Sequence, residues 1–187
     1  MNCIAKASIL ALLVILSVGC SSSRPTSYYV LNGREVVSQE LTSSGSLLEL
    51  GPITLPGYLD RRGIVVRTDE HALSVSDLHQ WAEELDENIA RVLQRELEAC
   101  GKYDQVVLYP APRGLSSGKR IQIVLDQFER LESGDVKIAA WIDSSSSDGT
   151  QTHSLFALQN SCPDASSYSA TVSCLDALVV ALAEELC

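Results

Sequence analysis

Cysteine has the widest chemical range of any residue type in this sequence: it can accept an acyl group, bind a metal or form half a disulfide. The chain has six. The thiol of Cys20 stands apart from the others. It follows Ser17-Val18-Gly19, and before these comes an apolar run from Ala7 to Leu16, broken by Ser8 and preceded by Lys6. A charged start, a short apolar stretch and a small-residue site make a secretory signal. The run is too short to span a bilayer, which takes roughly 20 apolar residues.

The four residues ending at Cys20 resemble the processing box of bacterial lipoproteins, Leu-(Ala/Ser)-(Gly/Ala)-Cys. Ser17 stands where Leu is usual, with Leu16 one place earlier. Cleavage before Cys20 would leave its thiol to be diacylated, and stable anchoring takes at least two acyl chains. The competing reading is an ordinary cleaved signal with a chance cysteine. Ser21, rather than Asp, follows Cys20 and resembles an outer-membrane sorting signal facing the periplasm.

The remaining cysteines of the processed chain are Cys100, Cys162, Cys174 and Cys187. An even number in an oxidising compartment reads as disulfides. Three pairings are open. The favoured one joins Cys162 to Cys174, tying a loop to the start of a helix, and Cys100 to Cys187, stapling two helix ends. A metal site is the rival, but there is no Cys-x-x-Cys, and His71, His79 and His153 are scattered. Gly114 to Arg120 looks faintly like a phosphate loop. It has three residues between its glycines where that motif needs four, and Arg120 where Ser or Thr should follow Lys119. It reads as a turn. No Gly-x-Ser-x-Gly and no His-Glu-x-x-His occurs. The expectation is no enzyme, no metal and no cofactor.

Charge narrows the partners. Loss of residues 1–19, which carry Lys6 and no acid, moves the net charge from −10 to −11. Such a chain is unsuited to nucleic acid, whose phosphates require a basic face. It also suits anionic lipid poorly, so membrane contact should come through the N-terminal lipid.

The elements that must position these residues are two helices and a sheet. Ser76 suits a helix N-cap, and Leu78, Trp81, Leu85, Ile89, Val92, Leu93 and Leu97 form one stripe at steps of three and four. Glu83, Glu84, Glu87, Arg91 and Arg95 take the opposite face, and Gly101 suits the left-handed position past the helix end. A last helix is expected from about Ser167 to Glu185. Strands are expected at Tyr28 to Leu31, Leu47 to Leu59 (edge or bulged, because of Pro52 and Pro56), Gly63 to Arg67, Leu73 to Val75 and Gln105 to Tyr109. Arg120 to Leu131, Val136 to Ile142 and Ser154 to Leu158 suggest an antiparallel meander. In the first of these, Ile121, Ile123, Leu125 and Gln127 are expected on one side, and Val124 and Phe128 on the other. The predicted fold is a single α+β domain, an antiparallel-rich sheet with two amphipathic helices packed on one face. Residues 1–19 are a signal peptide, 20–27 a lipidated tether and 28–187 the domain.

Several residue groups, taken in order, resemble the ABC-type transport auxiliary lipoprotein family, the PqiC-like lipoproteins of intermembrane transport. They are Cys20, Tyr28-Tyr29-Val30-Leu31, the stretch Gly51 to Arg61, Ile64-Val65-Val66-Arg67, Trp81 to Leu85, Ile89 to Leu93, Phe128 and Trp141. The extra cysteines and the polar stretch Asn32 to Gly45 depart from the pattern. The resemblance implies a non-enzymatic lipoprotein that docks an MCE-domain (mammalian-cell-entry) conduit at the outer membrane and supports envelope integrity. It leaves a homo-oligomer open. The alternative is a stand-alone periplasmic lipoprotein with an envelope-stability or unrecognised enzymatic role. Leu55, Pro56, Tyr58, Leu59, Asp60 and Arg61 are the candidate partner-binding residues, because Tyr and Arg are favoured at contact hot spots. The competing reading of that stretch is a structural bend.

A Cys20→Ser chain is expected to leave the membrane fraction and appear as soluble protein. Persistent sedimentation with outer-membrane vesicles would overturn the lipidation.

Overall fold

A computed structural model describes residues 24–35, 46–115, 117–164 and 166–187. Cys20, the signal and most of the polar stretch lie outside the described residues. Among the described residues, eight strands and two helices follow in the order β1 (Ser27–Tyr29), β2 (Leu47–Thr54), β3 (Gly63–Asp69), β4 (Ala72–Trp81), α1 (Leu85–Ala99), β5 (Gln105–Leu108), β6 (Lys119–Arg130), β7 (Val136–Ser146), β8 (Gln151–Asn160) and α2 (Tyr168–Leu186).

The long strand β6 organises the sheet. On one side it pairs antiparallel with β7, which pairs antiparallel with β8. These are the strands joined by short turns, and the expected meander is present. On its other side β6 has two parallel neighbours. Its first half pairs with β2 and its last residue, Arg130, with Val66 of β3. Beyond β2 lies parallel β5; beyond β3 lie antiparallel β4 and then parallel β1. The sheet therefore forks at β6.

The expected antiparallel-rich sheet is corrected. Four of the seven ladders between described strands are parallel. The reason is connection length. Antiparallel neighbours need only a short turn, whereas parallel neighbours need a crossover of a dozen or more residues. The chain between β2 and β5 contains β3, β4 and α1.

A second correction concerns the first helix. Ser76 to Trp81 is not its opening turn but the end of β4, held by β3 on one side and β1 on the other. Leu78 and Trp81 fit a helical spacing by coincidence, and sheet pairing on both edges outweighs it. The local capping bond still forms: Ser76 Oγ accepts from the His79 N–H at 3.0 Å, within an irregular strand. Helix α1 starts at Leu85, nine residues beyond Ser76, after Glu84, which makes no side-chain cap. The stripe from Leu85 onward is buried as expected, and Gly101 takes φ 75°. Helix α2 is capped by Ser167, whose Oγ accepts from the Ala170 N–H at 3.3 Å.

Both helices cover one face, α1 over β2 and β5, and α2 over β6, β7 and β8. Leu48, Leu50, Ile121, Ile123, Leu125, Ile138, Ala140 and Ile142 face them from the sheet. Phe128 was expected with Val124 but is buried with the core side instead. An irregularity between Leu125 and Gln127 shifts the register, and one extra residue reverses the alternation of a strand. Strand β2 has its own irregularity around cis-Pro52, so it is bulged, but as an interior strand rather than an edge.

Two polar residues interrupt the α1 stripe. Buried Asn88 accepts the Leu31 N–H at 2.7 Å and donates to the Leu31 carbonyl at 3.0 Å. Buried Glu96 accepts the Arg34 N–H at 2.6 Å and its Nε at 2.7 Å. On α2, Asp176 accepts the N–H groups of Asn32 and Gly33, and Glu184 pairs with Arg34 at 2.9 Å. The segment after β1 is thus clipped to both helices.

Among the described residues two disulfides are present, Cys100–Cys187 and Cys162–Cys174, closing separations of 87 and 12 residues. Loop-closure entropy favours the longer, at about 4.6 kcal/mol against about 2.8 kcal/mol. Paired Cys→Ser variants measured by urea unfolding are expected to rank in that order; equal losses would show that native-state contacts dominate.

Candidate functional site

The six residues singled out as a binding stretch lie in the connection between β2 and β3, where the sheet forks. Pro56 begins a turn: its carbonyl accepts from Leu59 N–H at 2.8 Å and Asp60 N–H at 3.3 Å. Leu59 is driven into the core and is 2% exposed. Leu55, Pro56 and Tyr58 are half-buried, while Asp60 and Arg61 are exposed. Arg61 donates from Nη2 to the Gly57 carbonyl at 3.3 Å, and the Arg62 carbonyl accepts the Trp81 N–H at 2.7 Å. The connection thereby joins the two arms of the fork.

Tyr58 closes the gap along β6. Its hydroxyl lies 2.5 Å from Oε2 of Glu129 and 3.1 Å from the Asp126 carbonyl. Glu129 is wholly buried, and its Oε1 accepts from Arg67 Nε at 2.6 Å. Burial, and then the adjacent Glu129 carboxylate, push the Tyr58 hydroxyl far above its usual range. Burial alone would lower Arg67, but the Glu129 hydrogen bond and charge outweigh it and hold the guanidinium above its usual value. The trio is a lock. Tyr58 and Leu59 serve the fold, and Asp60 and Arg61 are the members of the set fully open to a partner.

A second buried carboxylate lies on the same side of the sheet. Glu49 of β2 accepts Arg120 Nε at 2.7 Å and the Ala111 N–H at 3.1 Å. Burial opposes its ionisation, but the Ala111 and Arg120 bonds win and lower its pKa. Arg120 also lies over the Tyr109 ring. Arg120, the last residue of the segment that looked faintly like a phosphate loop, is thus the second residue of β6 and is engaged with Glu49.

The histidines stay apart. His71 is exposed near Glu70. His79, expected in the first turn of a helix, is on β4, bonded to the Tyr29 hydroxyl at 2.8 Å and stacked on Tyr168 at 3.9 Å. His153 is on β8, 2.5 Å from Asp143. Among the described residues no group of three His, Cys, Asp or Glu is placed to hold a metal ion. A cleft of about 530 Å³ beside the start of α1 is lined by Glu83, Asp86, Glu87, Arg91 and the cis-Pro52 bend, with Arg91 paired to Glu83.

The open face of the meander was not singled out from the sequence. Val124, Trp141 and Leu155 are opposite one another on β6, β7 and β8, and are 42%, 40% and 54% exposed. Trp141 stacks on His153 at 4.8 Å. Beside this apolar row lies a polar groove of about 350 Å³, lined by Arg120, Gln122, Asp143, Gln151 and His153 among others. The signal was the out-of-phase position of Val124 and Trp141 in their strands; lining them up with Leu155 requires the register.

The family model described as the ABC-type transport auxiliary lipoprotein component matches residues 29–187. A solved uncharacterized protein superposes with TM-score 0.72 at 19% identity, over 87% of this chain and 97% of its own. Protein XCC0632 from Xanthomonas campestris superposes with TM-score 0.69 at 17% identity, over 86% and 92%. These two share the fold. Comparison with curated proteins finds no match.

Tyr58→Phe is expected to leave Glu129 short of a partner and to cost about 1–3 kcal/mol in urea unfolding. Asp60→Ala, at an exposed position, should change stability by less than about 0.5 kcal/mol. Comparable losses in both variants would place Asp60 in the lock and remove it from the candidate surface.

Proposed function

The chain belongs to the ABC-type transport auxiliary lipoprotein family, and from that premise we propose that it is a non-enzymatic, outer-membrane-anchored subunit of an intermembrane lipid transport system. In this reading Cys20 carries the lipid, and the domain faces the periplasm. There it receives the end of an MCE-domain conduit that starts at the inner membrane, and so supports envelope integrity.

The observation that carries the reading is the extent of the family match. It begins within β1 and runs to the last residue of the chain, so it takes in both arms of the fork, the meander and both helices. Two features of the fold suit the role. The helices close one face of the sheet, which leaves the other face and its long outer strand for contact. The clip from Leu31 to Arg34 fixes the chain that leads toward Cys20 against both helices, so an anchored domain is held by its core rather than by a loose end. The exposed pair Asp60 and Arg61 is one candidate contact for the conduit.

The test is affinity purification of the full lipidated chain from detergent-solubilised envelopes. Recovery of an MCE-domain protein with the ABC components is expected. An intact outer-membrane lipoprotein that brings down none of them would overturn the assignment.

A further inference from the structure

Strand β8 breaks the rules by which sheet edges protect themselves. Natural edges are kept short, charged, bulged or interrupted by proline, because an open strand is a template for another. Among the described strands, β1 and β5 obey: they end the two arms of the fork with three and four residues. β8 ends the sheet on the other side with ten residues, Gln-Thr-His-Ser-Leu-Phe-Ala-Leu-Gln-Asn. It contains no Asp, Glu, Lys, Arg or Pro. Its register with β7 runs unbroken from Gln151 to Asn160, and among the described residues β7 is its sole strand partner. All ten residues are exposed except Phe156 and Leu158, which are half-buried on the helix side.

The side chains state what the next strand should carry. On the open face the row Val124–Trp141–Leu155 stops at the edge with its outermost member the most exposed. Directly opposed side chains stabilise neighbouring strands, so an apolar residue beside Leu155 would continue the row. On the helix face, Phe156 and Leu158 ask for apolar neighbours as well. Carboxylates rim the edge: Asp148 in the turn before β8, Asp143 beside His153, and Asp135 bonded to Gln159 at 2.9 Å. Lys137, opposite Gln159, and Arg120, which lines the polar groove and is paired to Glu49, are nearby cations of the open face. A second copy of this chain, with net charge −10, would bring its own acidic surface to that rim.

We infer that β8 is the docking edge for the transport partner, which adds an extended, apolar-rich, neutral-to-basic segment to the sheet as a ninth strand. Main-chain hydrogen bonds would supply affinity, and apolar contacts with Leu155 on one face and with Phe156 and Leu158 on the other the specificity, as in other strand-addition complexes. The inference rests on the reading of the chain as a transport subunit and names the surface and the chemistry of the contact.

The experiment uses the full lipidated chain in cells, with a photo-crosslinking amino acid at position 152 or 159 of β8, or at position 60 or 61 of the β2–β3 connection. The expected result is a crosslink from β8 to an extended segment of a transport subunit. Leu155→Lys and Thr152→Lys, which charge the edge at exposed positions, should each weaken it at least tenfold while leaving the unfolding midpoint unchanged. Transport-subunit crosslinks from 60 or 61 alone would overturn the β8 edge and keep the subunit reading. Crosslinks from β8 to a second copy would overturn it in favour of self-association. Absence of transport-subunit crosslinks from all four positions would overturn the subunit reading and the edge together.

Discussion

The carboxylate of Glu129 has no exposure to water, and its two oxygens are held by Arg67 and Tyr58. A buried charge is tolerable only when paired and hydrogen-bonded, and removing one partner costs more than the pair contributes. Here the constraint is also topological. β6 cannot pair with β2 and β3 over the same residues, so a stretch of its edge must be satisfied by something that is not a strand. The β2–β3 connection fills that role. Leu59 enters the core, and Tyr58 reaches Glu129 and the Asp126 carbonyl. Arg67 comes from the far arm, so one carboxylate ties together the trunk, the arm and the link between them.

This explains why the stretch most suggestive of a binding site is divided between two tasks. Its aromatic and one of its leucines are consumed by the fork, whereas its charged turn points outward. Residue types common at contact hot spots are also those that satisfy a buried polar group, and composition alone does not separate the uses. The exposed Trp141 row is the reverse case. Its members are spread over more than thirty residues of sequence and form one surface only through strand register.

What could be read from the sequence follows the range of the interactions. The meander and α2 are set by short turns, alternation and a serine cap, all local, and they appear where the pattern put them. The fork is not local: β2 meets β6, and β1 meets β4, across long intervening segments with no turn to announce the pairing. The start of α1 was misplaced because Leu78 and Trp81 satisfy a helical spacing and a buried strand end equally well. Trp81 is buried as expected, but from a strand. Phe128 changed sides because a single irregularity at residue 126 reverses every later side chain, and no residue type marks it. Asn88 and Glu96, which no spacing in the sequence marks, are anchors for backbone arriving from 57 and 62 residues away.

Those anchors have a mechanical consequence. Any tension applied to the N-terminal chain enters the domain at β1, a three-residue strand that by itself would peel away easily. Immediately after it, Leu31 to Arg34 are bonded to Asn88 and Glu96 on one helix and to Asp176 and Glu184 on the other. Load would therefore pass from the strand into two helices whose ends are covalently joined by Cys100–Cys187. Several bonds would have to fail in shear at once, rather than one after another. The domain is built like a cleat, gripping the line at the point where the pull arrives.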